Sequence, residues 1–349
     1  MKKERLYYLD LIRLIAVAMV FVCHFTRSLE ANQVGFSVKL LPDNILNVYL
    51  GSFGVSLFFI ISGAALMYVY DEKLEWKTYY KKRFLGIYPM FWMAFLIAFG
   101  MTFFRNQQII PGIPQWKIIY SILGIDGNLL WWGGNYYQLG EWFLSVLICI
   151  YIIFPLLRKM MEKSLRITCA VWGVVYVVCV FGFRTTLPVE CFFLSRIPEF
   201  LFGMVFIKYI KKVSVVHLIG AGIALVGIGL IPANIVAGSA ALKMIMTTVV
   251  GIGSFSVFTW IFQRVGIPEF FRKLAEICGK YCYPFFLTHH YLLRWMTERF
   301  QGKTLRISEE ILLFLCCLAV VLLATKLLYE LHGTIMKLFK TGRVKQAEE

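Results

Sequence analysis

Residues Leu9 to Phe25, LDLIRLIAVAMVFVCHF, make an apolar run of membrane-helix length that nevertheless carries Asp10, Arg13 and His24. An ionisable group in the hydrocarbon layer costs roughly 2.5 kcal/mol or more, so a helix holding three of them must aim them at protein or water. At 100° per residue, the steps from Arg13 to His24 make three turns plus about 20°, which sets both on one stripe roughly 16 Å apart along the axis. Asp10, one turn before Arg13, falls on the same stripe. Together they read as the lining of a site or path. Taken singly, Asp10 and Arg13 neutralise each other near one membrane surface while His24 snorkels at the other.

Composition sets the class around that helix. With 349 residues, 59% hydrophobic, 17% aromatic and a mean hydropathy of +0.71, the expectation is an all-α polytopic membrane protein. The net charge of +16 sits in short loops between apolar runs, and no nucleic-acid motif accompanies it. The nine cysteines fall mostly inside apolar runs, without CxxC or His/Cys ligand spacing, so neither disulfides nor a metal site are expected. MKKERLYY resembles the start of a signal peptide, but the charge inside the following run and the missing small-residue cleavage site point to a retained first helix.

Hydropathy gives about ten spans, near 8–26, 45–70, 84–104, 141–158, 166–184, 190–208, 214–232, 241–262, 281–297 and 309–331. An even number puts both termini on one side. The basic stretches at Lys2 to Arg5, Lys73 to Arg83, Arg158 to Arg166, around Lys212, Arg264 to Lys280 and Lys337 to Lys345 then share that side, the cytoplasm. Arg299, Lys303 and Arg306 are the exception on the opposite side. A membrane domain over 1–335 and a short basic cytoplasmic tail over 336–349 follow. Asp71 to Arg83 reads as a short interfacial helix, with Leu74, Trp76 and Tyr80 towards lipid and Lys77, Lys81 and Lys82 towards head groups. In the longest polar connection, 105–140, the WWGGNYY run from Trp131 to Tyr137 is either an interfacial anchor or a platform for stacking sugar rings.

These residues carry a resemblance. Leu9-Asp10, Arg13 and His24 at the start of the chain resemble the opening of the acyltransferase-3 family of integral membrane acyltransferases. GVSLFFIISG (Gly54 to Gly63), KKRFLGIYP (Lys81 to Pro89), EWFLSVLICIY (Glu141 to Tyr151), RIPEFLFGM (Arg196 to Met204) and YCYPFFLTHHYLL (Tyr281 to Leu293) resemble later motifs in the family's order. The pattern departs at Ser56 and Leu147, where many relatives are acidic, and at Gly86, where a second arginine is common. That argues against a mechanism leaning on a carboxylate in the second or fourth span. It also suggests the short branch without a fused hydrolase-like domain.

The resemblance implies transfer of an acyl group, most often acetyl from acetyl-CoA, to a hydroxyl of a cell-envelope or exported saccharide, in a multi-pass protein of the bacterial plasma membrane. The partners implied are acyl-CoA, a glycan or lipid-linked sugar, and membrane lipid. His24 is then the reacting group, as general base or transient acyl carrier. Arg13 binds donor phosphate or polarises the thioester, and Asp10 orients Arg13. Arg83 with Lys82 sits where the donor's phosphates would approach, the alternative being plain cytoplasmic charge. Gly54, Ser62 and Gly63 suit close helix packing, with Ser62 also a candidate for the site. Arg196 and Glu199, one turn apart in an apolar span, form an expected ion pair and a candidate second wall. His289 and His290 diverge by about 100°, so at most one should face the site, and the family position favours His289. Trp142 is a further candidate, on the opposite flank of its helix from Tyr151. Two other classes stay open: a multi-pass transporter, and a non-catalytic membrane module of an envelope-assembly system.

Overall fold

The computed structural model describes residues 4–38, 41–136, 138–140, 142–182 and 188–348, with the backbone alone for 130–132 and 339–348. Lys2, Lys3, Tyr137, Glu141, the end of the span expected at 166–184 and the side chains of Trp131, Trp132 and Lys345 lie outside that description.

The chain folds as α1 (Tyr7–Ala31), β1 (Gly35–Phe36), a β2–β3 hairpin (Asn44–Ile45 and Val48–Tyr49), α2 (Leu50–Tyr70) and α3 (Trp76–Asn106). A short α4 (Ile118–Leu123) and a 3-10 turn (Asp126–Trp132) lead to α5 (Trp142–Lys163) and α6 (Leu165–Gly182). Then come α7 (Ile197–Val205), α8 (Val215–Gly229), α9 (Ala233–Ala237), α10 (Ala240–Arg264), α11 (Glu269–Thr297), β4 (Thr304–Leu305) and α12 (Ile307–Glu348).

Every expected span overlaps a helix, and among the described residues seven helices are long and apolar enough to cross a membrane: α1, α2, α3, α5, α6, α10 and α12. Three expected spans differ for physical reasons. The nine residues of α7 follow 3-10 turns and end in a π-helical turn, Phe206–Ile210, so the chain there is short and irregular. The apolar helix α8 has only 15 residues. α11 is long, but its first half bears Glu269, Arg272, Lys273, Glu276 and Lys280, and only its second half is the apolar stretch expected from 281. At the other end of the chain, α12 passes the expected 335/336 boundary without a break.

The expected interfacial helix over Asp71 to Arg83 does not form. Its residues from Trp76 onward are the first two turns of the 31-residue α3, continuous with the span after it. Trp76 is exposed as expected, whereas Leu74 and Tyr80 pack on the core and the Tyr80 hydroxyl donates to the Ile152 carbonyl at 2.8 Å. An acceptor on α5 gives that polar tip a better partner than the membrane surface offers.

α2 is the centre of the bundle. It is apolar on all sides, as a helix enclosed by others must be. Its glycines set the spacing: a Cβ on Gly63 would lie 1.9 Å from the Phe200 carbonyl oxygen, and one on Gly203 would lie 1.9 Å from that of Ile60. α2 and α7 therefore touch backbone to backbone, the close packing expected of Gly63. Gly54 serves the contact with α1, where a Cβ would come 2.9 Å from the Ala16 carbonyl oxygen. On the other face of α1 runs α11, which in turn packs on α12. At the His24 end of the bundle β1 and β4 pair in parallel, Gly35 with Thr304.

Candidate functional site

At its N-terminal end, α1 brings three charges together. Asp10, which is 7% exposed, accepts from Arg5 Nε at 2.7 Å and from an Arg13 guanidinium nitrogen at 2.5 Å. The i, i+3 spacing of Asp10 and Arg13 makes the second contact local, and a carboxylate in the first turn also opposes the positive end of the helix dipole. α11 can lie against this cluster because residue 279 is glycine: a Cβ there would come 3.1 Å from an Arg5 guanidinium nitrogen and 3.6 Å from Asp10 Oδ1.

Beside the cluster is a cavity of about 330 Å³, lined by Arg13, Ser62, Arg83, Tyr151, Cys282 and Phe286 among others. Arg83, from the third turn of α3, holds its guanidinium carbon 5.8 Å from the centre of the Tyr151 ring, and its Nε is buried without a hydrogen-bond partner. Two guanidiniums thus face one enclosure, and the single carboxylate beside Arg13 is shared with Arg5. Such a space favours an anion with several acceptor oxygens. Lys82, one residue from Arg83, is exposed and outside this lining.

Three turns along α1, His24 meets α11. Its ring centre lies 5.1 Å from that of His289 and 5.0 Å from that of His290, both edge to face. The expectation that only one of the pair would reach the site is therefore corrected. α1 crosses α11 over the boundary between two neighbouring positions, so side chains 100° apart both flank the crossing ring. His289 Nδ1 is 3.0 and 2.9 Å from the carbonyl oxygens of Phe285 and Phe286. Carbonyls only accept, so Nδ1 carries the proton and the buried Nε2 is left as an acceptor. Gly140 closes the group from the outside: it has φ +81°, and a Cβ would come 3.2 Å from His290 Cγ. Among the described residues, no group of three or more His, Cys, Asp or Glu side chains is placed to hold a metal ion.

His24 does not line the cavity. Phe286 lines the cavity, and its ring centre is 5.9 Å from that of His289. Phe143, whose ring centre lies 5.1 Å from that of Phe286, lines the same cavity.

Arg196 and Glu199 pair as the spacing required, at 2.9 Å, both fully buried. Neither is part of the lining of the cavity beside Arg13. Arg196 Nε donates to the Glu190 carbonyl, and the Ser56 hydroxyl donates to Glu199 at 2.6 Å, so the pair is a buried tie between α7 and α2. Trp142 stands away from the cavity that Tyr151 lines, its backbone wedged against Gly127. In the run from Trp131 to Tyr137, Tyr136 is buried against Phe99 rather than presented for stacking.

Similarity to known proteins follows the same outline. Residues 6–330 match a family described as an acyltransferase domain, a stretch that holds every residue of the cavity at Arg13 and of the imidazole group at His24. The chain belongs to the acyltransferase-3 family. Among curated proteins it is similar to acyltransferase MdmB of Streptomyces mycarofaciens, 30% identical over 165 residues. That match spans 46% of this chain and 41% of the relative's length. No solved structure matches. The protein is thus a multi-pass membrane protein of an acyltransferase family.

Sequence reasoning missed several residues of the cavity and of the imidazole group. Arg5 was counted only as topology charge, although it takes half of Asp10. Gly279, Cys282 and Phe286 carry no local signal: they matter only because α11 lies across α1. His290 had its signal in plain view, a second imidazole beside the first, and was set aside by a rule about a single straight helix facing a single point.

Proposed function

We propose that this protein is a membrane O-acyltransferase that moves an acyl group, most simply acetyl, from cytoplasmic acyl-CoA to a hydroxyl of a cell-envelope or exported saccharide. The membrane is the bacterial plasma membrane, crossed ten times with both termini inside. The observation that carries the reading is one stripe on α1 joining a two-arginine cavity at Arg13 to a three-imidazole group at His24. The arrangement suits a donor with a polyanionic end and a distant reactive end. Phosphates would sit against Arg13 and Arg83, and the slender pantetheine arm would cross the roughly 16 Å to His24 once Phe286 swings aside.

His24 then takes the proton of the acceptor hydroxyl as its oxygen attacks the thioester carbonyl, and the proton passes to the departing CoA thiolate. His289 acts by position. With Nδ1 held by the Phe285 and Phe286 carbonyls, its unpartnered Nε2 would accept from His24 after a small rotation of that ring, holding one tautomer and leaving the other His24 nitrogen as the base.

The test is thiol release from acetyl-CoA by purified protein in nanodiscs, with and without crude envelope glycan. His24→Ala should abolish glycan-dependent release while the protein stays inserted, and wild-type release by that variant removes His24 from the reaction. Arg83→Ala should raise KM for the donor about tenfold with kcat little changed, as expected when a charge-assisted contact to the ground state is lost.

A further inference from the structure

From residue 200 to residue 268 the sequence has no aspartate or glutamate, yet it carries Lys208, Lys211, Lys212, Lys243 and Arg264. Lys208 pairs with Asp71 at 2.8 Å, and Arg264 lies over Trp260 and donates to the Val213 carbonyl at 3.3 Å. Lys211 and Lys212 stay exposed, in a turn that the fold holds in an unfavourable shape. Lys211 follows the π-helical turn with φ +58°, a region that residues with side chains rarely adopt. The Gln263 side chain of α10 fixes it there, donating to the Lys211 carbonyl at 2.9 Å and accepting from the Val213 amide at 3.3 Å.

The turn borders a groove of about 290 Å³ between the end of α7, α8 and α10. Ile210 and Val213, on either side of the two lysines, belong to its lining, which is otherwise apolar apart from His217 and Ser256. Ser256 is satisfied within its own helix by the Ile252 carbonyl. Small residues on α8 leave the space: a Cβ on Gly220 would meet nothing within 4 Å. The α8 side of the lining ends at Ala224, beyond which Leu225 lies 3.0 Å from where a Cβ on Gly253 would sit. His217 stands at the lysine end. Its Nδ1 accepts from the Ser214 amide at 3.4 Å and lies 2.7 Å from the Ser214 hydroxyl, so Nε2 carries the proton and is the free donor. Among the described residues the lining holds no carboxylate.

We propose that this groove is a defined site for one anionic glycerophospholipid, with an acyl chain between α8 and α10, its phosphate at Lys211 and Lys212, and an ester carbonyl on His217 Nε2. Two ammonium groups with no acidic neighbour along this stretch of chain match a phosphodiester, and the apolar length takes a chain that water cannot solvate. This differs from the general contact that any spanning helix makes with lipid, because charge and chain must be satisfied at one place. The groove shares no residue with the cavity at Arg13 or with the imidazole group, so its occupancy is independent of the acyl-transfer reading.

The experiment is native mass spectrometry of the delipidated full-length protein titrated with phosphatidylglycerol, with phosphatidylcholine of the same chains, and with chain-free glycerophosphoglycerol. The expected result is one retained phosphatidylglycerol, held about tenfold tighter than phosphatidylcholine and more weakly as salt rises, with no retention of glycerophosphoglycerol. Lys211→Gln with Lys212→Gln should remove that preference. Gly220→Leu, whose Cβ enters open space in the groove, should weaken both lipids about tenfold. Lys159→Gln with Lys163→Gln, on exposed positions of α5, should bind as wild type. Circular dichroism and gel filtration establish that each variant is folded. Equal retention of the two lipids, several equivalent copies per protein, or the same loss from the α5 pair as from Lys211 and Lys212 would mean surrounding bilayer lipid only and overturns the proposal. A preference that survives both the lysine pair and Gly220→Leu overturns it as well, by placing the lipid elsewhere.

Discussion

Asp126 lies in the 3-10 turn before α5, fully buried, in the connection that carries Gly140 to the imidazole group. Burial raises its carboxyl from 3.8 to about 6, with the Ser121 hydroxyl compensating only in part. Because the folded state holds the proton more tightly than the unfolded one, the stabilisation is complete below about pH 4. It is lost as pH rises through 6 and stays lost above that. Two pH units correspond to about 3 kcal/mol, or roughly a hundredfold in a local opening equilibrium. The segment's own bonds report it: the Gly127 amide donates to Ser145 Oγ at 2.9 Å, and the Asn135 side chain donates to the Asp126 carbonyl. Hydrogen exchange of a peptide covering 121–136, corrected for intrinsic rates, should therefore lose about a hundredfold in protection between pH 4 and pH 7. Asp126→Asn should be flat over that range. Parallel loss in wild type and Asp126→Asn, or a flat wild type, would falsify the assignment.

Other perturbations test the packing. Glu199→Gln keeps the shape but strands the buried Arg196 charge, which costs about 3–5 kcal/mol and should lower the melting temperature by roughly 10 °C in a thermal scan. The double variant Glu199→Leu with Arg196→Met should melt above the single one. Gly203→Ala must part α2 from α7 by more than an ångström and is expected to yield little monodisperse protein. Gly173→Ala, whose Cβ meets nothing within 4 Å, should behave as wild type on the same column.

Much of the fold is legible in the sequence because a bilayer leaves a chain few options. Backbone groups in hydrocarbon must bond within a helix, so apolar length alone locates the cores of α1, α2, α3, α5, α6, α10 and α12, although α3 begins eight residues before its expected span and α12 runs on past its own. Where polar residues enter, the signal fades. The basic first turns of α3 and the charged half of α11 read as surface, yet hydrogen bonding carries both helices straight through. The buried Arg196–Glu199 pair was likewise readable, since charges one turn apart on an apolar helix have no cheaper partner. Its destination was not, because that depends on Ser56 arriving from α2.

The sequence by itself determined the membrane class, the family and the α1 stripe of Asp10, Arg13 and His24. Each of these follows from composition, order or a helical repeat, which are properties of neighbours along the chain. Only tertiary structure decided that Arg83 shares a cavity with Arg13, that Phe286 both lines this cavity and lies beside His289, and that His289 and His290 both meet His24. Those contacts come from where α1 packs on α11 and where α3 meets the same cavity. The approach of α1 to α2 and α11 is permitted by Gly54 and Gly279, and that of α2 to α7 by Gly63 and Gly203, whose missing side chains become visible only when two backbones are brought together.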